Sequence, residues 1–355
     1  MNILFDTYIY QLQKVGGINR YFVEIISRLP ESLHPFLFGK NSEQLLIPSH
    51  AKIKNFWIPK CLHISPTLLK WRMRSIDLIH PSYYHLGEPL SWANIPGNVV
   101  ITVYDFVMMR FAERYPRSEK VIAAQKSAIK RADHIICISH STRRDLLEYF
   151  PECESRSCVI PLAGSLSTPQ QGTKRPFSNR YFLYVGGRTF YKNFTLTASA
   201  FALLLEKDKE LRLVVVGDSF NDEEKKLLAE LRIQDAVILV KHPDDQMLNL
   251  LYQHSFALLY PSEYEGFGLP LLEGMRMGVP AIALQTSSIP EVVGEGGVLI
   301  ESHKATPAAL ADAAISLLES ESFYHQLSQN AKQQALRFSW AYTVEETVKV
   351  YQAFQ

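Results

Sequence analysis

Glu265 and Glu273 stand eight residues apart in the stretch PSEYEGFGLPLLEGMRMGVPAIA (261–283), with Gly266, Gly268 and Pro270 between them. A carboxylate accepts hydrogen bonds from two neighbouring hydroxyls, so either glutamate suits a ribose or a hexose. The glycines allow a tight loop whose backbone comes close to a ligand. Pro270 suits the first position of a helix and Gly278 its end, which predicts a helix over 270–277 with Glu273 in its first turn. The N–H groups at such a start form an anion site ready for phosphate. The plainer alternative is that Glu273 offsets the helix dipole and the glycines only turn the chain.

A second group lies in YFLYVGGRTFYKNFTLTASAFALL (181–204), where a strand ends in Gly186-Gly187, followed by Arg188, Lys192 and a helix with Asn193 as its cap. Two cations beside a glycine turn can hold a diphosphate, the arginine as a planar fork and the lysine as a point charge. Either cation alone is more often a solvated surface charge. A third group, QKVGGINRYFVEIISRL (13–29), sets Gly16 and Gly17 between a strand and a helix, without the G-x-G-x-x-G spacing of dinucleotide binders. Tyr104 and Asp105 close the strand NVVITVY, and His80 and Tyr83 lie in HPSYYH; Tyr104, His80 and Tyr83 are candidate acceptor contacts and Asp105 a candidate catalytic residue, with an aspartate that only makes a turn as its alternative. His140 suits capping or packing, and His242, before Pro243, sits where a nucleobase would lie. Metal-ligand spacing and a D-x-D motif are missing, as are the P-loop and nucleophile-elbow patterns.

These residues follow strands in a chain that alternates strands with helices, the pattern of parallel sheets built from βαβ units. Strands are predicted at 2–5, 35–38, 76–80, 98–104 and 134–139, then at 181–186, 211–217, 236–240, 255–260, 279–284 and 297–300. Helical periodicity marks 18–29 and 119–132, and Ser339 caps an amphipathic segment running to 355. The polar stretch 164–179, rich in Ser, Pro and Gly, reads as a linker. The predicted organisation is a first domain over 1–165, a linker over 166–179, a second domain over 180–338 and a terminal helix over 339–355. Ligands of such folds bind at the carboxyl ends of the strands, here expected in a cleft between the domains.

The 355 residues are 47% apolar and 21% charged, which fits a globular protein and leaves room for two cores. Net charge is +1, too small for a nucleic-acid binder. Residues 1–165 nonetheless carry a net +6 and the remainder −5, so the first half is the one suited to an anionic partner. LLKWRMR (68–74) could rest on an anionic membrane surface or be an ordinary amphipathic helix. MNILFDTYIY reads as a first strand rather than a signal peptide, and no apolar run is long enough to span a bilayer. Four unpaired-looking cysteines suit a reducing cytoplasm.

EGFGLPLLE (265–273) resembles the E-x7-E signature of family 4 retaining glycosyltransferases of the GT-B fold. Gly186-Gly187-Arg188 with Lys192-Asn193 resembles that family's diphosphate-binding stretch, and GGINRYFVEI, ADHIICIS (132–139) and SIPEVVGEGG (288–297) match its landmarks in order. The resemblance implies two Rossmann-like domains facing a cleft, a C-terminal helix crossing back to the first, retention of anomeric configuration and no required metal or cofactor. It implies that Arg188 and Lys192 neutralise the leaving diphosphate and that Glu273 holds the ribose. Glu265 and the loop Gly266, Phe267, Gly268 and Leu269 then face the donor sugar, and Gly17 approaches the donor from the first domain. Relatives often carry His-Asp at Tyr104-Asp105 and Asn-Gly where this chain has Ala163-Gly164.

The GGINRY type further implies an enzyme of bacterial surface polysaccharide assembly, with a mannose or deoxyhexose donor, GDP favoured over UDP or dTDP, and a glycan or lipid-linked acceptor at the cytoplasmic face of the membrane. Rival readings are a nucleotide-sugar 2-epimerase of the same fold, which the glutamate loop disfavours, and a non-catalytic nucleotide-sugar sensor, which the intact charged residues disfavour.

Overall fold

The computed structural model describes residues 1–12, 16–38, 54–56, 71, 73–86, 91–93, 95–116, 118–166 and 172–355. The chain divides into two compact units, one of Met1–Leu162 with Ser339–Gln355 and one of Ala163–Phe338. Most of the segment LLKWRMR, including Arg72, lies outside the described residues. Among the described residues no helix is long and apolar enough to cross a membrane.

The first unit is built on strands β1 (Asn2–Asp6), β2 (His34–Phe38), β3 (Lys54–Phe56), β4 (Leu78–Ile79), β5 (Asn98–Val103), β6 (His134–Cys137) and β7 (Ser157–Val159). They form one sheet in the order β3-β2-β1-β4-β5-β6-β7, every pairing parallel. Its helices are α1 (Ile9–Leu12), α2 (Gly17–Ser27), α3 (Val107–Arg110), α4 (Glu119–Arg131) and α5 (His140–Tyr149), with the terminal helix Trp340–Gln352. Ser339 caps that terminal helix as its sequence predicts, accepting from the Tyr342 N–H at 3.2 Å. The edge strands β3 and β7 escape the hydrophobic pattern because each is three residues long.

The second unit holds β8 (Tyr181–Val185), β9 (Arg212–Val216), β10 (Val237–Val240), β11 (Leu258–Tyr260), β12 (Ala281–Gln285) and β13 (Gly297–Glu301), all parallel in the order β10-β9-β8-β11-β12-β13. Its helices are α6 (Phe194–Lys207), α7 (Asp222–Glu230), α8 (Asp245–His254), α9 (Leu269–Arg276), α10 (Ile289–Val293), α11 (Pro307–Glu319) and α12 (Glu321–Ala335); the terminal helix of the first unit is α13. The strands read as unbroken apolar runs because both faces are covered. Phe182, Tyr184, Leu213 and Val215 join a core with Phe201 and Leu204 of α6 and Leu310 and Ala314 of α11. Their neighbours Tyr181, Leu183, Val214 and Val216 point the other way, toward Leu251 and Tyr252 of α8.

Strand order in each unit runs outward in both directions from a central pair, β1–β4 in one and β8–β11 in the other. At such a reversal the loops leaving the two strands diverge, and a crevice opens at their carboxyl ends. This is the doubly wound Rossmann-like arrangement, twice in one chain.

Candidate active site

In the second unit the reversal between β8 and β11 collects the glycine turn, both candidate cations and Glu265. The loop after β8 folds into a single tight turn at Phe190–Lys192, and Asn193 follows at φ 54°. Asn193 therefore stands at the N-cap of α6 without capping it; its side-chain amide instead reaches Glu263 Oε1 at 3.4 Å. The loop after β11 is tied to the first by the Glu263 N–H donating to the Tyr191 carbonyl at 2.7 Å.

That tie brings Lys192 onto Glu265. Lys192 Nζ donates to both carboxylate oxygens, at 2.6 and 2.7 Å, with the lysine side chain 19% and the glutamate side chain 9% exposed. The ammonium also lies 5.3 Å from the Tyr191 ring and 5.7 Å from the Tyr260 ring, where ring quadrupoles favour a cation. Burial holds the Tyr260 hydroxyl, which hydrogen-bonds Glu265, well above its ordinary titration range, so it remains a proton donor. The Tyr184 hydroxyl donates to the Gly187 carbonyl at 2.9 Å and fixes the glycine turn from below.

Arg188 follows a different course. Its guanidinium forms a fork on Glu224 of α7, Nε to Oε1 at 2.7 Å and Nη2 to Oε2 at 3.2 Å, and Nη2 also meets the carbonyls of Asp218 and Ser219 at 2.9 Å. The plane stacks 4.8 Å from the Phe220 ring. The side chain is only 5% exposed, yet Nη1 has no hydrogen-bond partner. Gly217 makes the fit possible: a Cβ there would lie 2.8 Å from the Gly186 carbonyl and 3.1 Å from Nη1. Arg188 thus presents one buried, unpartnered N–H edge beside Gly186, with most of its charge already met.

α9 begins at Leu269, not at Pro270, after Gly268 in the left-handed region at φ +103°. Glu273 is its fifth residue, so it sits beyond the first turn, and the dipole-offset reading of this glutamate falls with the placement. The carboxylate is 8% exposed and accepts from the Tyr252 hydroxyl at 3.0 Å. His242 lies at φ +45° on the surface and pairs with Asp218 at 3.1 Å, both side chains largely exposed.

The first unit corrects two assignments. His80 is wholly buried among Phe5, Phe22 and Tyr351, with Nδ1 2.5 Å from the Tyr351 hydroxyl and Nε2 2.9 Å from Thr102 Oγ1. Burial drives its pKa down to about 3, so it is a neutral core histidine that ties α13 to the sheet, and no acceptor can touch it. Tyr104 is 6% exposed and its hydroxyl donates to the Ser82 carbonyl at 3.2 Å, which removes it from acceptor contact as well. Tyr83 is half-buried and packs on Tyr84, with its hydroxyl pushed up to about 12 by burial and by nearby Asp105. Asp105 Oδ1 accepts from the Val107 N–H at 3.0 Å and makes a local turn. Gly16 caps α2 and Gly17 begins it. His140 is the first residue of α5, whose capping hydroxyl belongs to Ser139.

Sequence reasoning missed Glu224, which holds Arg188, and the run Thr286-Ser287-Ser288, whose three hydroxyls bind the loop carrying Glu265. Asn221 and Glu224 carry a legible capping box, complete in the structure, but nothing local shows that Glu224 also serves an arginine 36 residues away.

Comparison with known proteins bears on the family and the fold. The model of the glycosyl transferases group 1 matches residues 170–334, and that of glycosyltransferase family 4 matches residues 15–163. The MMP alpha-(1->4)-mannosyltransferase of Mycolicibacterium hassiacum is 30% identical over 65% of this chain, an alignment that spans 56% of that relative's length. The O-antigen chain mannosyltransferase B of Escherichia coli is 25% identical over 94% of this chain and 95% of its own. Among solved structures, Anabaena HepE in complex with UDP-glucose superimposes with a TM-score of 0.76 at 16% identity, covering 99% of this chain and all of that one, a likeness of fold.

Proposed function

We propose that this chain, which belongs to the group 1 and family 4 glycosyltransferases, moves a hexose from a nucleoside-diphosphate sugar to a hydroxyl of a growing glycan, with retention at the anomeric carbon and without a metal. The observation that carries the reading is the Lys192–Glu265 pair at the strand-order reversal between β8 and β11. The donor's diphosphate takes Lys192 and draws out the buried, unpartnered N–H edge of Arg188. Glu265 then turns to the hydroxyls of the donor sugar, and Glu273 to those of the ribose.

Chemically, the bond between the anomeric carbon and the β-phosphate oxygen breaks, with its electron pair left on the phosphate. Preorganised cations stabilise that charge as it develops, which is the largest lever such a site has. The acceptor oxygen bonds to the anomeric carbon from the face the phosphate leaves, and its proton passes to the departing phosphate. The two mannosyltransferase relatives support mannose as the sugar transferred, and the O-antigen one supports a surface-polysaccharide acceptor; GDP as the nucleotide and a place at the cytoplasmic face of the membrane complete the proposal.

The test is a screen of GDP-, UDP- and dTDP-sugars with EDTA present, read as thermal shift and as release of the nucleoside diphosphate. A ligand that binds only the folded state raises its stability. Stabilisation by GDP-mannose with slow GDP release supports the full reading; stabilisation by another family corrects the donor. No response to any of them overturns the site.

A further inference from the structure

The loop that carries Glu265 is itself buried, and a buried loop must find partners for its backbone polar groups. Ser262 is 1%, Glu265 8% and Phe267 5% exposed. Three consecutive hydroxyls just after β12 supply those partners. Thr286 Oγ1 donates to the Ser262 carbonyl at 3.0 Å. Ser287 Oγ accepts from the Glu265 N–H at 2.8 Å. Ser288 Oγ reaches the carbonyls of Glu265 at 2.9 Å and Phe267 at 3.0 Å.

Two features set this apart from routine loop packing. Ser288 occupies the N-cap of α10, where a serine hydroxyl would ordinarily accept from the helix's first N–H groups, yet its side chain makes no cap bond and serves the Glu265 loop. Ser287 stands at φ +43°, a left-handed conformation that costs a non-glycine residue free energy. A glycine would remove that cost but could not supply a hydroxyl. Both departures from local preference share one result: Glu265 is gripped at its N–H and its carbonyl, and its carboxylate is delivered to Lys192.

We propose that Ser287 and Ser288 are positioning residues for transfer, holding the Glu265 backbone so that its carboxylate meets the donor sugar in one geometry. The proposal rests on the role given to Glu265 above. Its test is Ser287→Gly, which relieves the backbone and deletes the CH2OH side chain with its hydroxyl. Hydrogen exchange of residues 262–268 in the free protein accelerates at least about tenfold in this variant, while Tm holds or rises. Turnover of GDP-mannose, or of UDP-glucose if that is the donor, falls about tenfold or more in kcat, since loss of fit at the reacting centre is costly. Affinity for the nucleoside diphosphate alone does not fall, because Lys192 is untouched and a loosened Glu265 competes for it no more strongly; a merely structural defect would lower Tm, kcat and affinity together.

Unchanged exchange over 262–268, or wild-type kcat in Ser287→Gly, overturns the clamp. Glu265→Gln in the same assay separates this from the site reading. Loss of transfer in Glu265→Gln with full transfer in Ser287→Gly removes the clamp alone, whereas full transfer in Glu265→Gln removes the role of Glu265 and the clamp's purpose with it.

Discussion

Lys192 meets Glu265 through both carboxylate oxygens, at 2.6 and 2.7 Å, across the reversal between two neighbouring strands. The pair is mostly buried, so each partner keeps the other's charge from standing uncompensated. Arg188 is met by Glu224 in the same way. Both cations assigned to a diphosphate therefore carry a resident counter-charge. On the proposed function, a donor exchanges one anion for another at Lys192, and Glu265 is released toward the sugar as the phosphate arrives.

Lys192→Ala lowers turnover by about 10²–10³-fold, the loss typical of removing one donor to a developing oxyanion. Circular dichroism and a cooperative thermal transition show the variant folded. Glu273→Ala likewise loses transfer while remaining folded. Steady-state kinetics on the donor identified by the screen check both; near-normal turnover in the two variants contradicts the site.

Glu224→Ala leaves a guanidinium that is 5% exposed without its carboxylate. Breaking a buried pair in this way costs about 3 kcal/mol. The double variant Arg188→Met with Glu224→Leu removes the stranded charge and recovers much of the Tm without recovering turnover. Recovery of both in the double variant would show that Arg188 has no part in the reaction.

Two buried groups of the first unit pull stability in opposite directions with pH. His80 falls from 6.5 to about 3, so the folded chain holds fewer protons than the unfolded one between these values. Its contribution is present above pH 6.5 and is lost as pH falls through the window. Asp6 is raised from 3.8 to about 6, mainly by burial, so its contribution is present at low pH and is lost as pH rises through 6. One full proton of linkage is worth about 1.4 kcal/mol per pH unit, or roughly 2–4 °C per kcal/mol in units of this size. From pH 7 to 5, Asp6→Asn therefore loses Tm more steeply than the wild type, and His80→Gln gains Tm. Coincident Tm–pH slopes for the three proteins contradict the assignment.

The glycine turn, Lys192 and Glu265 were legible because each follows an apolar strand and the strands are neighbours in a parallel sheet. The six strands of the second unit were legible for the same reason: both faces are covered and the apolar runs are continuous. His80 was misread because its partners, Thr102 and Tyr351, are 22 and 271 residues away, and ending a strand does not say which way the ring points. Glu224 and Ser287 were invisible for a related reason: one acts from α7 on Arg188 in the loop after β8, and the other depends on a backbone angle that no spacing reveals.

The central claim is that Glu265 holds Lys192 in the place a diphosphate takes. Titration calorimetry of GDP, UDP and dTDP against the wild type and Glu265→Gln tests it without a sugar, so that only the competition for Lys192 is read. The account predicts that the preferred nucleoside diphosphate binds Glu265→Gln about tenfold more tightly, the worth of one charge-assisted hydrogen bond, while sugar transfer is lost. Equal or weaker binding of every nucleoside diphosphate by Glu265→Gln would contradict it.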